Sequence, residues 1–141
     1  MKHSLVIGIS SGIAAYKIIG LLRRLQGKFD ISVIMTDHAK SMISPMEFKK
    51  IPGVSVYSEL FPKDFDYKKI LKKREVEHIR LADAADLVVI APATANILAK
   101  IAHGLADDLL TTTILATQAP ILICPSMNVY MWQKEIVQEN I

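Results

Sequence analysis

A single cysteine, Cys124, stands in the 141 residues, so no disulfide can form within the chain. That excludes a small disulfide-stapled secreted scaffold and makes a reducing cytoplasm the expected compartment. Glycine and proline are also sparse, six of each, which excludes a collagen-like chain, a disordered tail or a low-complexity linker. No run approaches the roughly 18 consecutive apolar residues of a membrane helix. The N-terminus lacks a signal-peptide pattern, since its first apolar run carries Gly8 and no cleavage site. No membrane partner is expected. Charge of one sign is scarce too: 17 Lys and Arg against 14 Asp and Glu leave a net +3, too little to point to nucleic acid. The cations gather mainly between Lys63 and Arg80, which reads as a solvated segment. Four scattered histidines and one cysteine offer no zinc-type spacing, so no metal is expected. What is present is a 51% apolar, 22% charged chain of one domain's length, enough for a sizeable core.

Two periods alternate along it. Leu5 to Ile9 is a short apolar run suited to a strand covered on both faces, followed by Ser10-Ser11-Gly12 and a helical pattern from Ile13 to Leu25. Ile18, Leu21, Leu22 and Leu25 recur at helical spacing, and Gly27 is placed as a stop. Ile31 to Thr36 reads as a second strand, parallel to the first through a right-handed crossover. A helix start at Pro45, a turn at Pro52-Gly53 and a strand over Val54 to Tyr57 follow. Residues 58–77 predict an irregular or helical surface excursion. Leu87 to Ala91 is the best buried strand, with helices through Ala102 and from Asp107 to Ala116, a strand over Ile121 to Cys124, and helix to the end. The pattern predicts a single doubly wound, Rossmann-like (flavodoxin-like) α/β domain over residues 1–141 with a mostly parallel sheet.

Ligands in such sheets sit beyond the carboxyl ends of the strands. Those ends are Gly8 to Gly12, Thr36-Asp37-His38, Pro92 to Asn96 and Pro125 to Asn128, three of them small and rich in hydroxyl or amide groups. The first lacks both a phosphate-loop lysine and full G-x-G-x-x-G spacing, but such a turn entering a helix can offer N–H groups and hydroxyls to one phosphate. A purely structural turn glycine is the competing reading. Asn96 and Asn128 equally suit helix N-caps, a role compatible with ligand contact. Met127, Met131 and Trp132 suit packing, Met131 above all. His38 and His103 carry no assigned role, and Cys124 at a strand end reads as a buried core residue.

Taken together the strand ends resemble the flavin-dependent cysteine decarboxylases. Gly8-Ile9-Ser10-Ser11-Gly12-Ile13-Ala14-Ala15-Tyr16-Lys17 resembles their opening, and Pro92-Ala93-Thr94-Ala95-Asn96 their Pro-Ala-Ser-Ala-Asn-Thr motif, with Thr94 for Ser and Ile97 for Thr. Pro125 to Trp132 fits their Pro-x-Met-Asn-x-x-Met-Trp motif at every specified position. His78-Ile79-Arg80-Leu81 resembles their His-Ile-x-Leu segment, and Gly104 to Leu110 the stretch after the Asn motif.

The resemblance implies FMN held between subunits of a trimer or a multiple of trimers. It places Gly8, Ser10, Ser11 and Gly12 at the phosphate with Thr36 nearby. Ala93, Thr94, Ala95 and Asn96 would meet the flavin, Asp107 to Leu110 approach its ring, and Met127 lie beside it. His78 matches the catalytic histidine and Asn128 the asparagine that binds the substrate carboxylate. A group titrating near neutrality suits proton handling at sulfur, and an amide can hold a carboxylate without opposing its loss. The closest likeness is to members that convert 4′-phosphopantothenoylcysteine to 4′-phosphopantetheine in coenzyme A synthesis, an FMN-dependent carboxy-lyase reaction on a small phosphorylated, cysteine-containing substrate, with a separate synthetase as possible partner. Peptidyl-cysteine decarboxylation, flavin prenyl transfer and a non-catalytic FMN-binding regulatory role are the alternatives. Prenyl transfer is disfavoured by the complete Met-Trp motif. Family members continue past that motif into a clamp bearing a cysteine, whereas this sequence stops at Ile141. The expectation is therefore an oxidative half-reaction without the reductive one.

Overall fold

The structure is a computed structural model that describes residues 1–61, 63–73 and 76–141. Strands β1 (His3–Ile9), β2 (Phe29–Met35), β3 (Val54–Tyr57), β4 (Leu87–Ala93) and β5 (Ile121–Pro125) form one all-parallel sheet in the order β3-β2-β1-β4-β5. The doubly wound expectation holds. Helices among the described residues are α1 (Lys17–Leu25), α2 (Asp37–Met42), α3 (Pro45–Lys49), α4 (Tyr67–Lys73), α5 (Glu77–Ala84), α6 (Ala95–Ala102), α7 (Leu109–Ala116), α8 (Val129–Trp132) and α9 (Glu135–Glu139).

The period-2 alternation of the strands sorts the core into two layers. Leu5, Ile7, Ile9, Val33, Met35, Val89 and Ala91 face one side, against Ile18, Leu22 and Phe48. Val6, Ile34, Val88 and Ile90 face the other, against Leu81, Ile97, Leu98 and Leu110. Gly8 belongs to this packing: a Cβ there would overlap Leu110 Cδ1 and lie 3.0 Å from Ile90 Cδ1. Gly27 follows α1 at φ +78°, and Lys28 N–H reaches Leu25 O at 3.1 Å, so the helix stop falls where expected.

Three expectations change and one, the irregular or helical excursion, holds. The helix expected from Ile13 opens as a 3₁₀ turn over Ile13–Tyr16 before α1. The C-terminal helix is two short ones, α8 and α9. The excursion over residues 58–77 contains α4, and its residues 62, 74 and 75 lie outside the described residues. Cys124 is exposed, not buried, because β5 ends the sheet and its residues are exposed on both faces. No described helix is long and apolar enough to cross a membrane, and no described cluster of His, Cys, Asp or Glu could hold a metal.

Candidate active site

Strand order reverses at β1, whose neighbours are β2 on one side and β4 on the other. The crevice outside the carboxyl ends of β1 and β4 is the place where such sheets open for ligands. Two clefts meet there. The first, of about 180 Å³, is walled by Ser10, Ser11, Thr36, Thr94, Asn96 and Asp107, with Asp37, His38 and Lys100 also facing it. The second, of about 470 Å³, is walled by Ser11, Gly12, Thr94, Ala95, Met127 and Asn128. Ser11 and Thr94 belong to both. The second lies within the roughly 300–1,000 Å³ usual for small-molecule sites, and the first is smaller.

The strand ends are tied to each other. Ser10, 3% exposed, donates its hydroxyl to Pro92 O at 2.6 Å and accepts Thr94 N–H at 3.2 Å. Thr36 N–H reaches Ile9 O at 3.1 Å, and Ser126 N–H reaches Ala93 O at 2.9 Å. Gly12 lets the chain pass close to Pro92, whose Cγ would stand 3.0 Å from a Cβ there.

Capping explains the local folding of each loop. Thr36 Oγ1 accepts Ala39 N–H (3.2 Å), and Thr94 Oγ1 accepts Ile97 N–H (3.4 Å) at the start of α6. Asn96 therefore sits inside the first turn of α6, and its amide is left to the cleft. Asn128 does cap α8, through Oδ1 to Tyr130 N–H at 2.8 Å, which leaves its NH₂ group to donate. Asp108 caps α7 in a capping box with Thr111, at 2.8 Å to Thr111 N–H.

The expected site residues divide three ways. Ser10, Ser11, Gly12, Thr36, Thr94, Ala95, Asn96, Asp107, Met127 and Asn128 line one cleft or both. Gly8 and Ala93 do not: both are buried in their strands, Gly8 against Leu110. His78 lines neither cleft; it is half-buried near the start of α5, and its Nδ1 is buried with no hydrogen-bond partner among the described residues. The reading of Met131 as packing is corrected, for it is 47% exposed and borders the second cleft.

Two cleft residues had no role assigned from the sequence. His38, two residues past Thr36, faces the first cleft. Lys100 lies one helical turn beyond Asn96, and that i, i+4 spacing was the available signal. Its Nζ holds both Asp107 oxygens at 2.8 and 2.9 Å, which keeps the Asp107 carboxyl below its ordinary pKa. The donor set suits an anionic, hydroxylated ligand: hydroxyls of Ser11, Thr36 and Thr94, the Lys100 ammonium, and the first turn of α6.

The coenzyme A biosynthesis bifunctional protein CoaBC of Bacillus subtilis is 40% identical over 141 residues, covering 99% of this chain and 33% of the relative. The chain thus spans about a third of the length of the curated relatives it matches. The crystal structure of the FMN-dependent cysteine decarboxylase SpaF superposes with a TM-score of 0.85 at 34% identity, over 98% of this chain and 76% of that one. PPC decarboxylase, in a C175S mutant complexed with pantothenoylaminoethenethiol, superposes with a TM-score of 0.83 at 28% identity, over 99% and 74%. The family profile described as Flavoprotein matches residues 1–141, end to end, and the chain belongs to that family, among its cysteine decarboxylases.

Proposed function

We propose that this chain binds FMN along the crevice between β1 and β4 and uses it to decarboxylate 4′-phosphopantothenoylcysteine. One observation carries the reading. The motif residues Ser10 to Gly12, Thr94 to Asn96 and Met127-Asn128, far apart in sequence, wall two clefts that join at Ser11 and Thr94. The kinship with CoaBC and PPC decarboxylase supports the substrate class.

Loss of CO₂ from a plain cysteine carboxylate leaves an unstabilised carbanion, and bound FMN would supply the two-electron acceptor that first oxidises the thiol end. The chain's own groups do the rest. Ser11, Thr36 and the first turn of α6 hold the phosphate end in the first cleft. Asn128, fixed by its cap to Tyr130 N–H, points its NH₂ at the substrate carboxylate without adding a charge that would oppose CO₂ loss. His78 moves the proton at sulfur. It lines neither cleft of its own chain, so it serves the cleft of a neighbouring subunit in a homotrimer. The exposed apolar strand β5, with Leu122 at 52%, supports self-association. A second catalytic unit, the synthetase, is supported by the bifunctional description of the CoaBC relatives. We place this work in the cytoplasm.

The test adds 4′-phosphopantothenoylcysteine anaerobically to FMN-loaded protein and follows flavin bleaching and CO₂ release, with a cysteine-ended peptide as the competing substrate. Bleaching by the small substrate alone is the expected result. His78→Asn should slow it on the order of 10²–10⁴-fold while flavin stays bound. A protein that takes up no FMN, or bleaches only with the peptide, overturns the reading. Mass spectrometry then separates the half-reactions, since a product two hydrogens short of the amine-thiol marks oxidation and decarboxylation without electron return.

A further inference from the structure

The first cleft holds a cation that none of the matched strand-end motifs accounts for. Lys100 is the one lysine or arginine among the described residues that wall it. Its side chain is 21% exposed, whereas its partner Asp107 is 61% exposed on the loop between α6 and α7. The ammonium is therefore held at the cleft wall while the carboxylate stands largely in water. The other acids of the cleft are already engaged: Asp37 with Lys40 at 2.7 Å, and Asp108 with the amide and hydroxyl of Thr111.

We infer that Lys100 selects a phosphorylated ligand in this cleft, and that Asp107 is the counter-ion it leaves when the phosphate arrives. The inference rests on the FMN reading above. An ion pair with one partner in water is worth little, so surrendering it costs little. A phosphate dianion among the hydroxyls of Ser11, Thr36 and Thr94 offers the same ammonium a charge-assisted hydrogen bond shielded from solvent. Before binding, Asp107 keeps Lys100 neutralised and the loop beyond Gly104 drawn against α6. The competing role is a mere tether for that loop, and the two roles predict different responses to one chemical group.

Riboflavin is FMN without its phosphate, so the pair of ligands isolates that group. Wild type, Lys100→Met, Lys100→Arg and Asp107→Asn are titrated with each by quenching of flavin fluorescence. Lys100→Met should weaken FMN binding roughly 10- to 100-fold, the worth of one charge-assisted contact, and leave riboflavin affinity unchanged. Lys100→Arg should restore most of the loss, and Asp107→Asn should tighten FMN alone. The riboflavin titration also shows that each variant is folded at the site. Equal loss of both flavins in Lys100→Met, no loss of either, or weaker FMN binding by Asp107→Asn overturns the assignment. Wild-type protein that takes up neither flavin overturns the FMN reading, and this inference with it.

Discussion

Replacing Ser10 by alanine distinguishes a buried strut from a free phosphate donor. The hydroxyl is spent inside the protein, donating to Pro92 O at 2.6 Å and accepting Thr94 N–H at 3.2 Å. Alanine removes the oxygen but not its two partners. Pro92 is buried, so its carbonyl loses a bond that water does not replace; Thr94 is half-buried, and water recovers part of the loss there. With about 1–3 kcal/mol for each polar group left unpaired, and the low end for Thr94, the loss is about 2–4 kcal/mol. For a chain of this size that lowers Tm by roughly 6–12 °C. Ser11, half-buried one residue on, makes no side-chain hydrogen bond among the described residues. Ser11→Ala should therefore stay within about 0.5 kcal/mol of wild type while weakening FMN. Urea unfolding of ligand-free protein, followed by far-ultraviolet circular dichroism at unchanged m, measures both. Ser10→Ala within about 0.5 kcal/mol of wild type, with Ser11→Ala the more damaging, would refute the strut.

Gly8→Ala forces a methyl into Leu110 Cδ1 and should cost about 1–3 kcal/mol, whereas Gly20→Ala in α1, with nothing within 4 Å, should stabilise by about 0.5–1 kcal/mol; urea midpoints of opposite sign check the pair. Asp108→Ala removes the capping box of α7 and should cost about 1 kcal/mol, read in the same assay; no change would show the cap to be idle. Acid should act through Asp86, whose carboxyl is held below the ordinary value of 3.8 first by Ser4 N–H and then by His3. A depressed carboxyl stabilises the fold above its unfolded pKa and loses that contribution as pH falls through its folded value. The stability gap between wild type and Asp86→Asn should thus shrink from about pH 5 to about pH 2, and a gap that widens toward acid contradicts the pairing.

The strands were legible because a parallel sheet writes itself as short, continuous apolar runs, and β1, β2 and β4 carry them plainly. β5 carried the same signal and is a strand, but Cys124, read as a buried core residue, lies exposed at the end of the sheet. Apolarity does not say what covers a strand. The helices α2 and α5 were missed for the opposite reason, since α2 buries only Ala39 and α5 only Leu81 and Ala82. Neither leaves an apolar stripe for the period to reveal. At the site, glycines and hydroxyls were legible as a group but not as individuals. Gly8 proved to be packing and Ser10 a strut, both decided by neighbours that sequence spacing does not name. Lys100 escaped because a lone lysine on a helix reads as solvated until its turn is seen to face the cleft.

The cleft gains its shape from bonds that continue the ladder past the last sheet residues. Thr36 N–H to Ile9 O ties the end of β2 to β1, Ser10 Oγ to Pro92 O ties β1 to β4, and Ser126 N–H to Ala93 O ties β4 to β5. Four loops from distant parts of the chain are thereby fixed in one series, each to the next. A ligand spanning the two clefts meets walls whose relative positions are set before it arrives, which spares the ordering cost of binding. His78 lies outside this series. It is carried by α5, which packs on α7 and is tied there by Thr117 Oγ1 to Ala82 O at the far end of the helix. No strand-end bond sets its distance from Asn128. The proposed binding half of the site is therefore built into the sheet of one chain, and the proposed proton-handling half depends on how helices pack, within a subunit and, in the proposed trimer, between subunits.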